Sequence, residues 1–195
     1  MRRPGGADFA PGAYVFPGGV VHNEDFEWGD AIAAAAIREL FEEVGILLAR
    51  DGSRFARDRD CELVRAAVAG GSSFSDALRS HGLQPDLDRL VLLTRWVTPA
   101  LLTRRYDARF YLARLPANQT VHVQPDEVID WVWATPERAL RDPDITLVYA
   151  TRKVLESVAG DEEASEVLRR ARGQVDVPIV EPRMVQTESG WEIVH

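Results

Sequence analysis

The sequence predicts an α/β fold, and three stretches carry that prediction. Residues 31–44 read as one amphipathic helix, with Ile32, Ala33, Ala36, Ile37, Leu40, Phe41 and Val44 at helical spacing. Asp30 stands where an N-cap is wanted, and Gly45 where a left-handed residue ends the helix. The runs LVLLTRWV (90–97) and ARFYLARL (108–115) read as strands, the first ending before Pro99.

The other elements follow in chain order. Met1 to Ala13, rich in Gly and Pro, reads as a loop, and Tyr14 to Phe16 as a short strand entering the turn FPGG, Phe16 to Gly19. Residues 49–60 are charged without a clear period and read as a loop. Cys61–Ala69 and Phe74–Ser80 read as two short helices split by Gly70 and Gly71, an insertion spanning about 61–82 that could serve as a lid or as the surface of a homodimer. Val128 to Trp133 is expected to form a third strand. TPERAL opens a short helix with Thr135 as N-cap and Pro136 at its first position. An amphipathic helix is expected over 144–159 and another over Asp161 to Arg172, acidic first and basic last, as the helix dipole prefers. The runs VPIVE and WEIVH near the end are β-prone, and one of them could stand in for a strand at the start of the chain.

The chemistry concentrates in RELFEEVGI, Arg38 to Ile46. At about 100° per residue, Glu39, Glu42 and Glu43 fall within an arc of roughly 100° on one helix face. Like charges so spaced cost a helix roughly 0.2–0.5 kcal/mol per pair. A divalent cation would relieve this, and hard carboxylate oxygens suit Mg²⁺ or Mn²⁺. On its own, an acidic face of this kind is more often simply solvated.

The context decides otherwise. Arg38, Glu39, Leu40, Glu42, Glu43, Gly45 and Ile46, behind FPGG, resemble the second half of the Nudix hydrolase signature, G-x5-E-x7-R-E-U-x-E-E-x-G-U, U being a bulky aliphatic residue. The first half departs from it. Asp30 stands at the glutamate's distance before Arg38, and ten residues separate it from Gly19, a longer loop than usual. The resemblance implies a mixed sheet sandwiched between helices, with 1–195 as a single domain. Such domains normally have a strand ahead of the glycine turn, and the chain starts where that strand would end.

The resemblance also implies the activity, water-driven cleavage of a nucleoside diphosphate linked to another moiety. It makes Glu39, Glu42 and Glu43 the metal ligands, with a carbonyl of Gly18 or Gly19 beside them, Gly19 being favoured. Arg38 is expected to orient the glutamates through a bidentate pair. Glu42, Glu39 and Arg38 are thus the catalytic set. The general base sits on that helix or in a distant loop, where Glu127 of QPDEVIDW is the candidate. Gly12 set three residues before FPGG, the position of Arg3, and WVTPALLTRRYDARFYLA are similar to the coenzyme A diphosphatase branch of the family, peroxisomal members included. Arg3, Arg104 and Arg105 are then candidates for substrate phosphates. ADP-ribose or NADH cleavage is the alternative substrate reading, and a non-hydrolytic binding or regulatory module the alternative class.

Composition bounds the rest. A chain of 195 residues with 46% hydrophobic and 28% charged residues has an ordinary globular make-up. A net charge of −8 speaks against a general nucleic-acid binder. The single cysteine, Cys61, rules out an internal disulfide framework and fits a reducing, cytoplasmic setting. No apolar run is long enough to span a membrane. The expected partner is a small nucleotide-type molecule.

Overall fold

A computed structural model describes residues 1–101, 105–161, 163–187 and 190–194. The helices are α1 (Ala31–Val44), α2 (Asp58–Ala69), α3 (Phe74–Ser80), α4 (Pro136–Arg141), α5 (Tyr149–Val158) and α6 (Ala164–Arg172). The strands are β1 (Ala49–Arg50), β2 (Gln84–Pro85), β3 (Val91–Val97), β4 (Asp107–Leu112), β5 (Ile179–Val180), β6 (Arg183–Thr187) and β7 (Gly190–Val194). A 3-10 turn covers Asn23–Trp28, just ahead of α1.

The main sheet is mixed. β3 pairs antiparallel with β4, with a register shift between Leu92 and Thr94, and parallel with β5. Val91, Leu93 and Trp96 of β3 pack against Val154 of α5 and Leu168 and Ala171 of α6. A second cluster joins Ile37 and Phe41 of α1 to Leu47, Leu48, Cys61, Val64, Phe74, Ala77 and Leu78. The inserted helices are therefore core for the acidic helix and do not stand off from it as a lid. Burial pushes the Cys61 thiol up to about 11, so Cys61 serves as a small core hydrophobe here.

Local signals placed α1, α3 and α4 well. Asp30 accepts from the backbone N–H groups of Ile32 and Ala33, both at 3.1 Å. Gly45 closes α1 at φ 75°, where an added Cβ would lie 2.8 Å from the His122 carbonyl oxygen. Thr135 caps α4 through the Arg138 N–H at 3.2 Å.

Five expectations are corrected. Tyr14 to Phe16 makes only isolated bridges, from Tyr14 to Arg2 and to Leu147. Val128 to Trp133 forms no strand: Val128 N–H turns back to the Gln124 carbonyl, and the segment meets the start of the chain at Arg2 alone among the described residues, through Arg2 N–H to the Asp130 carbonyl and Ile129 N–H to the Arg2 carbonyl. The helix expected from 144 starts at Tyr149, since Thr146 and Leu147 pair with Tyr14. The next helix starts at Ala164 rather than Asp161. Residues 49–60 hold β1 and the first turn of α2, where the Asp60 carboxylate accepts the Arg57 N–H at 2.8 Å.

The VPIVE run does enter the main sheet, as β5, whereas Trp191 to Val194 of the last run pair with β6 in a separate hairpin. Among the described residues, no helix is long and apolar enough to cross a membrane.

Candidate active site

The acidic helix is held by an arginine inside the protein. Arg38 is 0% exposed, and each of its five N–H donors has a partner. Nη1 donates to Glu39 Oε1 at 2.8 Å and to Glu42 Oε2 at 2.7 Å. Nε and Nη2 donate to the two Asp25 oxygens at 3.1 and 3.2 Å. Nη2 also donates to the Val20 carbonyl at 2.7 Å. Burial alone would favour loss of the proton, but the bonds to Asp25, Glu39 and Glu42 outweigh it and hold the guanidinium above its ordinary value. Arg38 thus orients Glu39 and Glu42 as expected, but its bidentate partner is Asp25.

Asp25 is the residue that reading by sequence missed. It is 1% exposed and lies in the 3-10 turn. Five residues lie between Gly19 and Asp25, which puts it at the acid position of the signature. Twelve residues rather than seven then separate it from Arg38. Asp30 fits the other distance, the one back from Arg38, but serves as the helix cap.

The glycine turn closes on the same helix. Gly18 N–H donates to Glu43 Oε2 at 2.7 Å, and an added Cβ at Gly19 would collide with the Glu39 carboxylate. Glu43 is 2% exposed, with Arg3 Nη1 at 3.8 Å from its Oε1. Arg3 Nε is buried with no hydrogen-bond partner. Segment 122–128 runs past the end of α1, with His122 N–H on the Val44 carbonyl and Gln124 N–H on the Glu43 carbonyl. It carries the exposed Glu127, whose charge reaches the Glu43 carboxyl. The structure thus gathers Arg3, Gly18, Gly19, Arg38, Glu39, Glu42, Glu43 and Glu127. Arg105 is exposed between β3 and β4, where it donates to the Thr98 carbonyl and lies 3.6 Å from Glu181. Arg104 lies outside the described residues.

The electrostatics match a site that wants positive charge. Burial raises Glu42, against the pull of Arg38, and pushes Glu43 up to about 7. Glu39 and Glu42 each use one oxygen on Arg38, and the Glu42 side chain is 35% exposed. Among the described residues, however, no three acidic, His or Cys side chains stand assembled as a metal cage. The donor set still fits a hard divalent ion in its chemistry, because Glu39 and Glu42 bring carboxylate oxygens to one Arg38 nitrogen and the Glu39 carboxylate lies against the Gly19 backbone, where a Cβ would displace it.

Glu43 carries a consequence for stability. A carboxyl raised in the folded state stays protonated there while its unfolded counterpart ionises. Stability is therefore lost as pH climbs from the ordinary carboxylate range through about 7. Glu43→Gln keeps an acceptor for Gly18 N–H and removes that loss. With a chelator present, its urea midpoint should equal that of the wild type near pH 4 and exceed it at pH 8. A variant weaker than the wild type at pH 8 would refute burial as the dominant influence.

Comparison with known proteins agrees with this arrangement. The model of the NUDT19 Nudix domain matches residues 29–148, more than half of the chain. Identity is 30% over 141 residues to a nudix hydrolase relative in Caenorhabditis elegans, covering 72% of this chain and 47% of that protein. It is 28% over 205 residues to the acyl-coenzyme A diphosphatase NUDT19 of Gallus gallus, covering 72% and 54%. The chain thus spans about half the length of these curated relatives. A crystal structure of a NUDIX hydrolase from Alicyclobacillus acidocaldarius superposes with a TM-score of 0.73 at 26% identity, covering 86% of this chain and 85% of that one. A buried arginine that gathers the acidic helix against a glycine turn, the signature on that helix and the matched domain model agree, and the chain belongs to the Nudix hydrolase family, as a NUDT19-type Nudix domain.

Proposed function

We propose that residues 1–195 form one domain that hydrolyses the pyrophosphate bond of a nucleoside diphosphate linked to another moiety. The substrate is coenzyme A, cleaved to 3′,5′-ADP and 4′-phosphopantetheine, or an acyl-coenzyme A, cleaved to 3′,5′-ADP and acyl-4′-phosphopantetheine, with Mg²⁺ or Mn²⁺ as cofactor. The observation that carries this reading is the holding of Glu39 and Glu42 by the buried Arg38 and of Glu43 by the Gly18 N–H, with the Gly19 backbone against the Glu39 carboxylate. The names of the Gallus gallus and Xenopus laevis relatives, both acyl-coenzyme A diphosphatases, support the choice of substrate.

In this reading Glu42, Glu43 and Glu39, with Gly19 beside them, hold the divalent ion. Bound there, the ion would polarise phosphoryl oxygens and make water a better nucleophile. The chain's own groups do the positioning, which dominates phosphoryl chemistry. Arg38 fixes the rotamers of Glu39 and Glu42, and Gly18 N–H fixes Glu43. Arg3, with its unpaired Nε, offers a donor to a phosphate oxygen, and Arg105 a charge farther out. Glu127 Oε takes the proton of the attacking water. The partner is thus a small nucleotide-type molecule, and a homodimer is compatible with the exposed surface.

A ligand-binding module without turnover is the competing reading. It is favoured by the ion pairing of Glu39 and Glu42 to Arg38, which occupies an oxygen of each. A substrate panel decides between them. Coenzyme A, acetyl-coenzyme A, ADP-ribose and NADH are incubated with Mg²⁺ or Mn²⁺, and the products are separated. Release of 3′,5′-ADP and 4′-phosphopantetheine is expected. Turnover of ADP-ribose or NADH alone would move the substrate assignment, and turnover of none would favour the binding module.

A further inference from the structure

We propose that the helical insertion positions the acidic helix through the 3-10 turn, with Ser75 and Trp28 as positioning residues. α3 presents one face to the core and another to that turn. On the core side, Phe74, Ala77 and Leu78 pack with Ile37 and Phe41, and the Phe41 and Phe74 rings lie 5.6 Å apart. On the other side stands Ser75, a polar residue only 1% exposed, whose side-chain hydrogen bonds among the described residues lead to the turn. Its backbone N–H donates to Glu24 Oε2 at 2.8 Å, and its Oγ donates to the Glu24 carbonyl at 3.3 Å. The same Oγ accepts from Trp28 Nε1 at 2.8 Å. Arg79, one helical turn on, lies 4.8 Å over the Trp28 ring and pairs with Glu27.

The turn so gripped carries Asp25, which holds Arg38 by two parallel bonds. Arg38 in turn holds Glu39 and Glu42. A continuous chain of polar contacts therefore runs from α3 through the turn to the acidic helix. Glu27 and Trp28 fall in the stretch between Asp25 and Arg38 that is longer than the signature. The lengthened loop and the insertion are thus a matched pair: the added residues reach α3, and α3 holds them. A buried serine whose hydrogen bonds are shared with one loop specifies that loop's place, because leaving its partners unpaired is costly.

The catalytic consequence rests on the functional reading above, but the positional claim does not. Two substitutions in the full chain test it. Trp28→Phe removes the Nε1–H donor and keeps a ring beneath Arg79. Ser75→Ala removes its acceptor. Hydrogen exchange at the Arg38 Nε–H, followed by ¹⁵N–¹H spectra in native buffer, reports on the turn without any activity. Exchange should quicken roughly five- to tenfold in each variant, the change that one lost hydrogen bond makes in a local opening equilibrium. The double variant should match Ser75→Ala, because that change already breaks the Trp28 bond together with the one to the Glu24 carbonyl. If the wild type turns over a pyrophosphate substrate, kcat should fall by a similar factor with KM within twofold.

Val64→Ala, which opens the core of the insertion without touching the turn, is the control and should leave Arg38 exchange as in the wild type. The proposal is overturned if Trp28→Phe and Ser75→Ala leave Arg38 exchange unchanged, or if Val64→Ala raises it as much. Failure of every substrate would remove the functional reading alone, since the exchange measurement needs no turnover.

Discussion

Glu42→Gln should lower pyrophosphate turnover by on the order of 10²–10⁴-fold, a typical loss for a positioned catalytic carboxylate, while the protein melts within a few degrees of the wild type. The geometry explains why chemistry and folding separate at this position. The Glu42 side chain is 35% exposed, so its carboxylate adds little burial to the core. A glutamine keeps an oxygen for Arg38 Nη1, which Glu42 Oε2 now accepts at 2.7 Å. What glutamine lacks is the charge. Glu62→Gln, an exposed change on α2, is the matched control and should leave turnover unaffected. A Glu42→Gln protein retaining more than a tenth of wild-type turnover would remove this residue from the catalytic set.

Arg38→Met should be the most destabilising single change in this region, by about 3–5 kcal/mol, the cost of leaving a buried charge without its partner. For a domain of this length that is a drop in Tm on the order of 10 °C. Glu39 and Glu42 are 12% and 35% exposed and can turn toward water. Asp25 cannot, at 1% exposure, and it would lose both bonds that neutralise it. The diagnostic is the double variant Asp25→Asn with Arg38→Met. Removing both charges should recover part of the loss, because the buried carboxylate is then gone. Thermal melts of the two single variants and the double variant give the coupling. Strict additivity would mean that the pair is not the main contributor.

The two experiments probe different links of one chain of cause. Arg38 sets where the glutamates stand, and Glu42 supplies the charge that the chemistry uses. A rate loss for Glu42→Gln with a normal melt, together with a stability loss for Arg38→Met, would separate positioning from reaction. That separation is what a pre-organised site requires.

How much of this was legible beforehand depended on how local each signal is. The acidic helix could be read almost residue by residue, since Asp30, the apolar spacing and Gly45 lie within one helix and act through neighbours a few positions away. α4 was similarly readable from its Thr135 cap, and α3 from the Gly70–Gly71 break ahead of it. The expected strand at Val128 to Trp133 failed because a strand needs a partner elsewhere in the chain, and Arg2 meets it at one residue. The helix expected from 144 was shortened by Tyr14, well over a hundred residues away. Asp25 was hidden by a choice between two ways of counting, forward from Gly19 or back from Arg38. Only the packing of the turn against α3 shows where the additional residues sit.

Sequence alone determined the chemistry on offer: three carboxylates on one rigid face, an arginine beside them and a glycine turn upstream. Those are properties of spacing and residue type, and helical periodicity transmits them without reference to the rest of the chain. Tertiary structure decided how that face is held: Arg38 buried on Asp25, Glu43 sealed beneath Gly18, and the insertion braced against the turn. Such contacts join residues far apart in the chain, and which of them form is settled by close packing, where a buried polar group must find its partner or go without.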